Sequence, residues 1–296
     1  MLDFGRSHWF DRLDRSRAFL WTEEDAARLR ASLKLASGQR IADVGCGWGF
    51  LGHLLLPALS PGGQVVGYDL EETLLATGRE RAREAGVDRA LRFVHGDALD
   101  VDDRGFDGAI CQTVLLHQSR PEELVAAMAE RVRPGGFVAA IEPDLLAASA
   151  SLQDPFTTPE STARDVAMRG RIFAGVRRMG AGDYRIGGRL AALFAAAGLT
   201  VEHSWLNGTV AQCIPGRETP WRSHFALGLQ DDEVLAELDS WRAAWALAGG
   251  EDGSWRPWVE AQRAAAARRR EAIAAGSYWS SQTNALHICV ARVPIR

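Results

Sequence analysis

From residue 39 onward the apolar positions of the chain alternate between two textures. RIADVG, QVVGYDL, LRFVHGD, FDGAICQTV and GGFVAAIEP are short runs rich in apolar residues. They are separated by stretches at 49–59, 71–85 and 119–133 in which apolar residues recur every three or four positions. The short runs suit strands buried on both faces, and the longer stretches suit helices that bury one stripe. Ser119 and Glu122 have the spacing of a capping box ahead of Leu124, Val125, Met128 and Val132, and Pro134-Gly135-Gly136 marks the stop. Alternation of strand and helix predicts βαβ units. The expected fold class is therefore α/β: a Rossmann-like, doubly wound, mostly parallel sheet of seven strands with helices on both faces.

The flanks have a different pattern. Thr22 and Asp25 form a capping box ahead of Ala26, Leu29 and Leu33, which predicts a helical segment within residues 1–35. Beyond residue 144, a helix is expected at 158–179, started by Thr158-Pro159, and another at 186–197. GLTVEHSWLNGTVAQ follows as a strand candidate. Val234, Leu238, Trp241, Trp245 and Ala248 then recur at helical spacing until Gly249-Gly250. The expected organisation is a helical segment at 1–35, a core at 36–212, a helical cap at 213–284 and a final core strand at 285–296.

Composition narrows the function classes. Over 296 residues the formal charge of −4 gives no electrostatic footprint for nucleic acid. The only basic cluster, Arg268 to Arg270, is expected to form a solvated helix face. Cys46, Cys111, Cys213 and Cys289 have neither a zinc-site spacing nor a disulfide framework. No apolar run reaches the roughly 20 residues of a membrane span, and the charged start has no signal-peptide core. The expectation is a cytoplasmic protein that contacts neither membrane nor nucleic acid.

The chemistry centres on DVGCGWGFLG, Asp43 to Gly52, with four glycines in eight positions. A turn this dense in glycine lets backbone approach a ligand closely. Gly47-x-Gly49-x-x-Gly52 fits a dinucleotide fingerprint, whereas Asp43-x-Gly45-x-Gly47-x-Gly49 fits a nucleoside loop of another kind. An acid at Asp43 would repel a pyrophosphate but can sit near an ammonium. Asp69 ends the second strand, where a carboxylate can take a ribose diol. Asp97, after the third, is not required by a nicotinamide cofactor, but it can accept from an adenine amino group.

DVGCGWG, YDL, GDAL and RPGG, in this order and spacing, resemble the class I S-adenosylmethionine (SAM)-dependent methyltransferases, in the small-molecule branch that includes the ubiquinone and menaquinone C-methyltransferases. The resemblance covers residues 36–144 most strongly and extends more weakly to GDYRIGGRLAALFAAAGL and to the last two strands. It implies SAM as cofactor, with Gly45, Gly47 and Gly49 packed against it and Asp43 and Cys46 completing the turn. It also implies that Asp69 binds the ribose, Leu70 covers the adenine, Asp97 and the Ala98 amide read the adenine edge, and Gln112 lies near the methionine part.

On the acceptor side, His117 follows the fourth strand and is a candidate general base, the alternative being a hydrogen-bonded loop histidine beside the cofactor. Glu142 is a second catalytic candidate by position. Trp48 either flanks the sulfonium or packs the core. Trp221, Trp255 and Trp258 are expected to wall a pocket for a flat, apolar or aromatic small molecule, whereas Trp241 and Trp245 pack the cap. A homodimer through the cap competes with that wall. No acid follows the fourth strand to hold a hard cation, so no metal is expected. The expected function is methyl transfer to carbon, nitrogen or oxygen of a small molecule. A SAM-binding regulatory subunit without turnover and an NAD-dependent dehydrogenase are the alternatives.

Overall fold

The computed structural model describes residues 20–100, 102–208, 210–217 and 241–295. Its main sheet contains β1 (Arg40–Val44), β2 (Gln64–Asp69), β3 (Leu91–His95), β4 (Phe106–Gln112), β5 (Val132–Pro143), β6 (Thr200–Leu206) and β9 (Leu286–Arg292). The order across the sheet is β3-β2-β1-β4-β5-β9-β6. All pairings from β3 through β5 are parallel, and β9 runs antiparallel to both β5 and β6. β7 (Val210–Cys213) and β8 (Ser280–Thr283) form a separate antiparallel ribbon.

The helices are α1 (Glu23–Leu33), α2 (Phe50–Leu59), α3 (Glu72–Glu84), α4 (Pro121–Arg131), α5 (Leu145–Ala150), α6 (Pro159–Arg178), α7 (Leu190–Ala196), α8 (Arg242–Leu247) and α9 (Asp252–Ala274). Successive strand residues feed opposite faces of the sheet, as period two requires. Ile41, Ile110, Phe137, Ile288 and Val290 join Leu29, Leu33, Leu55 and Leu59 of α1 and α2 on one side. Ala42, Val44, Cys111, Val138 and Cys289 join Leu124, Val125, Leu190 and Phe194 of α4 and α7 on the other. Each large apolar side chain so buried contributes about 1.5–3 kcal/mol.

The expected doubly wound, seven-stranded sheet is present, as are the capping boxes or caps at Thr22 and Thr158. Three local expectations change, and the alternatives left open at Trp48 narrow to one. The helix after Ser119 starts at Pro121 with Arg120 as N-cap and no side-chain cap, because proline takes the first helical position and shifts Ser119 out of register. GLTVEHSWLNGTVAQ is two strands, β6 and β7, in different sheets, divided at Asn207-Gly208. Arg269 is not solvated: its Nε donates to Asp154 Oδ2 at 2.6 Å, while Arg268 lies over the Phe156 ring at 5.6 Å. Trp48 takes the Arg81 guanidinium over its ring at 4.4 Å and packs edge-on to Phe50, so its partners belong to the protein itself.

The cap helices α8 and α9 lie between β7 and β8, and both are apolar toward α6. Met168, Ile172, Phe173 and Val176 of α6 pack with Ala244, Trp245, Trp255, Trp258 and Val259. Gly175 lets the α6 backbone meet α8, since a Cβ there would strike the Ala244 carbonyl. The cap is fixed at its base as well. Asp154, fully buried in its side chain, also accepts from Tyr278 Oη at 3.0 Å, and Gln153 bridges to Ser281. Val234 and Leu238 lie outside the described residues.

Candidate cofactor site and the turn beside it

The carboxyl ends of β3, β2, β1, β4 and β5 form one rim, with β1 at the point where the connections diverge to either side. Such a switch point is where open α/β sheets bind ligands. The glycine turn fills the rim beyond β1. Gly45, Gly47 and Gly49 have φ of 65°, 54° and 86°, in the region that favours glycine. Their surroundings assign them different tasks. A Cβ at Gly45 would strike Val114, and one at Gly49 would come 2.6 Å from Phe93. At Gly47 it would meet nothing nearer than Leu74 Cδ1 at 3.9 Å, so the open side of the turn is at Gly47.

Asp69 faces this turn. Its Oδ2 accepts from the Gly47 N–H at 2.7 Å and its Oδ1 from the Glu71 N–H at 2.9 Å. Carboxylate oxygens have two acceptor positions each, which leaves capacity for a ribose diol. Leu70 beside it is 63% exposed, which leaves its side chain open to a flat ring. On the next strand end, Asp97 Oδ1 accepts from the Leu99 N–H at 2.9 Å, which sets the loop that carries Ala98.

On the other side of β1, Gln112 is buried at 5% exposure, and neither its amide oxygen nor its amide nitrogen has a hydrogen-bond partner. Leaving both halves of a buried amide unsatisfied costs several kcal/mol, on the order of 1–3 for each group. A ligand carrying both an ammonium and a carboxylate, as the methionine part of SAM does, offers what the amide lacks. The residues present therefore fit the cofactor that the sequence motifs imply.

Two members of the turn set do something else. Cys46 points into the core against Gly67, where a Cβ would lie 2.6 Å from its Sγ, and burial together with Asp43 and Asp69 pushes its thiol well up. Only the Cys46 backbone faces the turn, with its N–H donated to Tyr68 O at 3.0 Å. Asp43 is 1% exposed at the end of β1, close enough to Cys46 and Cys111 that its charge raises both thiols.

The acceptor-side candidates separate sharply. His117 ends a short 3-10 turn, Leu115–His117, half-buried with its ring edge-on to Tyr184 at 6.2 Å, and burial lowers its imidazole to about 4. Glu142, by contrast, is fully buried. Its Oε1 accepts from Val114 and Leu115 N–H at 2.8 Å each, and its Oε2 from Leu116 N–H at 3.3 Å. A carboxylate so occupied anchors backbone, which corrects its expected catalytic role. Trp255 and Trp258 are each 2% exposed inside the cap core, and Trp258 Nε1 donates to Asp165 at 3.1 Å. The expected exposed wall is corrected for both, because α6 covers them; Trp221 lies outside the described residues.

Sequence reasoning missed Thr113, whose φ of 56° is rare for a β-branched residue and marks the sharp exit from β4. It also gave the Gly182–Tyr184 segment no place at the site. Gly182 lies against the Leu116 carbonyl, and the Asp183 N–H donates to that carbonyl at 2.9 Å. The glycine density of GAGDYRIGG was the available signal.

Residues 41–136 match the family described as a methyltransferase domain. The ubiquinone biosynthesis O-methyltransferase of Methylococcus capsulatus is 39% identical over 111 residues, which are 37% of this chain and 45% of that protein. That of Bordetella bronchiseptica is 36% identical over 119 residues, 40% of this chain and 45% of that one. Residues 41–136 of this chain are thus similar to methyltransferase domains. The chain spans about half the length of the curated relatives it matches.

Among solved structures, a protein from Bacillus halodurans superposes with a TM-score of 0.53 at 15% identity, covering 92% of this chain and 100% of that one. The [4+2]-cyclase SpnF gives 0.51 at 19% identity, covering 92% and 81%. At such identities the likeness is one of fold. No helix among the described residues is long and apolar enough to cross a membrane.

Proposed function

We propose that the chain transfers a methyl group from SAM to a small, apolar or aromatic acceptor, and that it needs no metal to do so. The observation that carries this reading is the pairing of an open glycine turn held by Asp69 with the buried, unpartnered Gln112 amide on the neighbouring strand end. SAM supplies the activated methyl on its sulfonium. The protein's own work is then binding and alignment. Asp69 takes the ribose, Leu70 and the Asp97 loop hold the adenine, and Gln112 orients the amino-acid end, so that the sulfonium lies near the Val114–His117 turn.

Acceptor recognition belongs to the space between that turn and the cap. The β7–β8 ribbon supports this, because it leaves β6 at Leu206 and rejoins β9 at Leu286, which pairs with Pro143 at the carboxyl end of β5. The cap therefore rises from the same rim as the cofactor turn. In this reading His117, at the end of that turn and neutral over most of the pH range, takes a proton from an acceptor hydroxyl or amine. A phenol or amine requires less of such a base than an unactivated carbon.

The test is S-adenosylhomocysteine release from SAM against a panel of small phenols, amines and quinols. Acceptor-dependent release supports the reading; tight SAM binding with no release under any acceptor would favour a binding protein.

A further inference from the structure

Glu142 is a charged side chain held without exposure at the end of β5. It accepts three successive backbone N–H groups, from Val114, Leu115 and Leu116. Three N–H groups converging on one anion form a nest, an arrangement that suits negative charge. A buried carboxylate is expensive to desolvate, and these donors are what offset that cost. A neutral amide would turn donor hydrogens toward at least one of those N–H groups.

The turn it holds borders both halves of the site. At its start, Thr113 adopts its left-handed conformation and donates its N–H to Ile141 O at 2.9 Å. Val114 then packs onto Gly45 so closely that no Cβ fits there, which joins the turn to the cofactor loop. His117 lies at the far end, on the acceptor side. Gly187 closes the opposite side of Glu142: a Cβ there would come 2.5 Å from the Glu142 carbonyl oxygen and 2.8 Å from His287 Cδ2.

We infer that Glu142 is a positioning residue, whose carboxylate fixes the Thr113–His117 turn and so sets the cofactor loop and the acceptor-side histidine relative to one another. The inference rests on the methyltransferase reading for the meaning of those two sides, while the turn geometry stands apart from it.

The test compares Glu142→Gln and Glu142→Ala with the wild-type chain by S-adenosylhomocysteine calorimetry, the NMR titration of the His117 ring protons, and thermal melting. The Gln variant keeps one acceptor oxygen for Val114 and Leu115, so it should bind within a few-fold of wild type. Its His117 midpoint should nevertheless climb from about 4 toward the ordinary imidazole range as the Leu116 end loosens. The Ala variant should show the same climb and lose about tenfold or more in affinity, as expected when hydrogen bonds to a charged group are removed. Unchanged His117 midpoints and affinities in both, with only the melting temperature lowered, would overturn the inference and leave Glu142 a fold stabiliser. If Glu142→Ala does not fold, the Gln variant decides through its histidine titration. Absence of S-adenosylhomocysteine binding by the wild type would remove the methyltransferase reading instead, and the His117 midpoints would then decide the positioning claim alone.

Discussion

Asp69 Oδ2 accepts the Gly47 N–H at 2.7 Å, so one carboxylate both shapes the glycine turn and faces what the turn holds. Replacing Asp69 with Ala should weaken S-adenosylhomocysteine binding by about 1–3 kcal/mol through lost hydrogen bonds to the ribose and a looser turn. Asp69→Asn, which keeps one acceptor oxygen, should lose less. Calorimetry on the three proteins gives the order; equal affinities would remove Asp69 from the cofactor site.

His117 carries a pH prediction. Burial lowers its imidazole to about 4, so the neutral, proton-accepting form predominates at every pH above that value. If it is the base, the acid limb of turnover should fall near pH 4 rather than near the ordinary imidazole value of about 6.5. His117→Ala should then lower turnover by about 10²–10⁴-fold with cofactor affinity kept. Loss of cofactor affinity with normal turnover at saturation would assign the histidine to the cofactor side.

Trp258 tests the role of the cap tryptophans. It is buried beside Trp255 in the apolar cluster that includes Met168, Ile172 and Phe173, with its indole N–H satisfied by Asp165. Trp258→Ala should therefore destabilise the protein by about 3–5 kcal/mol, the usual cost of removing a large buried aromatic. A urea midpoint measured by circular dichroism reads this directly. A variant of unchanged stability with a raised acceptor KM would restore the wall.

Much of the core was legible because its signals are local. The apolar runs, the glycine turn and the acids that end β2 and β3 each follow from a few neighbouring residues, and the parallel order follows from strand–helix alternation. The cap was harder. Proximity to prolines and to a helix start suggested exposure for Trp255 and Trp258, but α6, some 80 residues earlier in the chain, covers them. Glu142 misled for a similar reason: its place after β5 says that it reaches the rim, and only the folded turn shows that its oxygens are taken by Val114, Leu115 and Leu116. Arg269 looked solvated within an arginine run until Asp154, more than a hundred residues away, paired with it.

Activity should survive chelation. Among the described residues no cluster of three or more His, Cys, Asp or Glu side chains could hold a metal ion, and β4 ends at Gln112, followed by Thr113 rather than an acid. Methyl transfer assayed in excess EDTA should match the untreated rate. A chelated enzyme that is silent and recovers with Mg²⁺ would show that a hard cation takes part.

The central claim is that SAM seats on the open side of the glycine turn at Gly47. Gly47→Asn tests it most directly, because asparagine tolerates the left-handed backbone while its side chain enters the space that the turn leaves open. The measurement is a calorimetric titration of both proteins with S-adenosylhomocysteine, with NADH as the comparison ligand. The wild type should take up one equivalent of S-adenosylhomocysteine and ignore NADH, and Gly47→Asn should stay folded and bind neither. Wild-type binding of NADH without S-adenosylhomocysteine, or undiminished S-adenosylhomocysteine binding by Gly47→Asn, would contradict it.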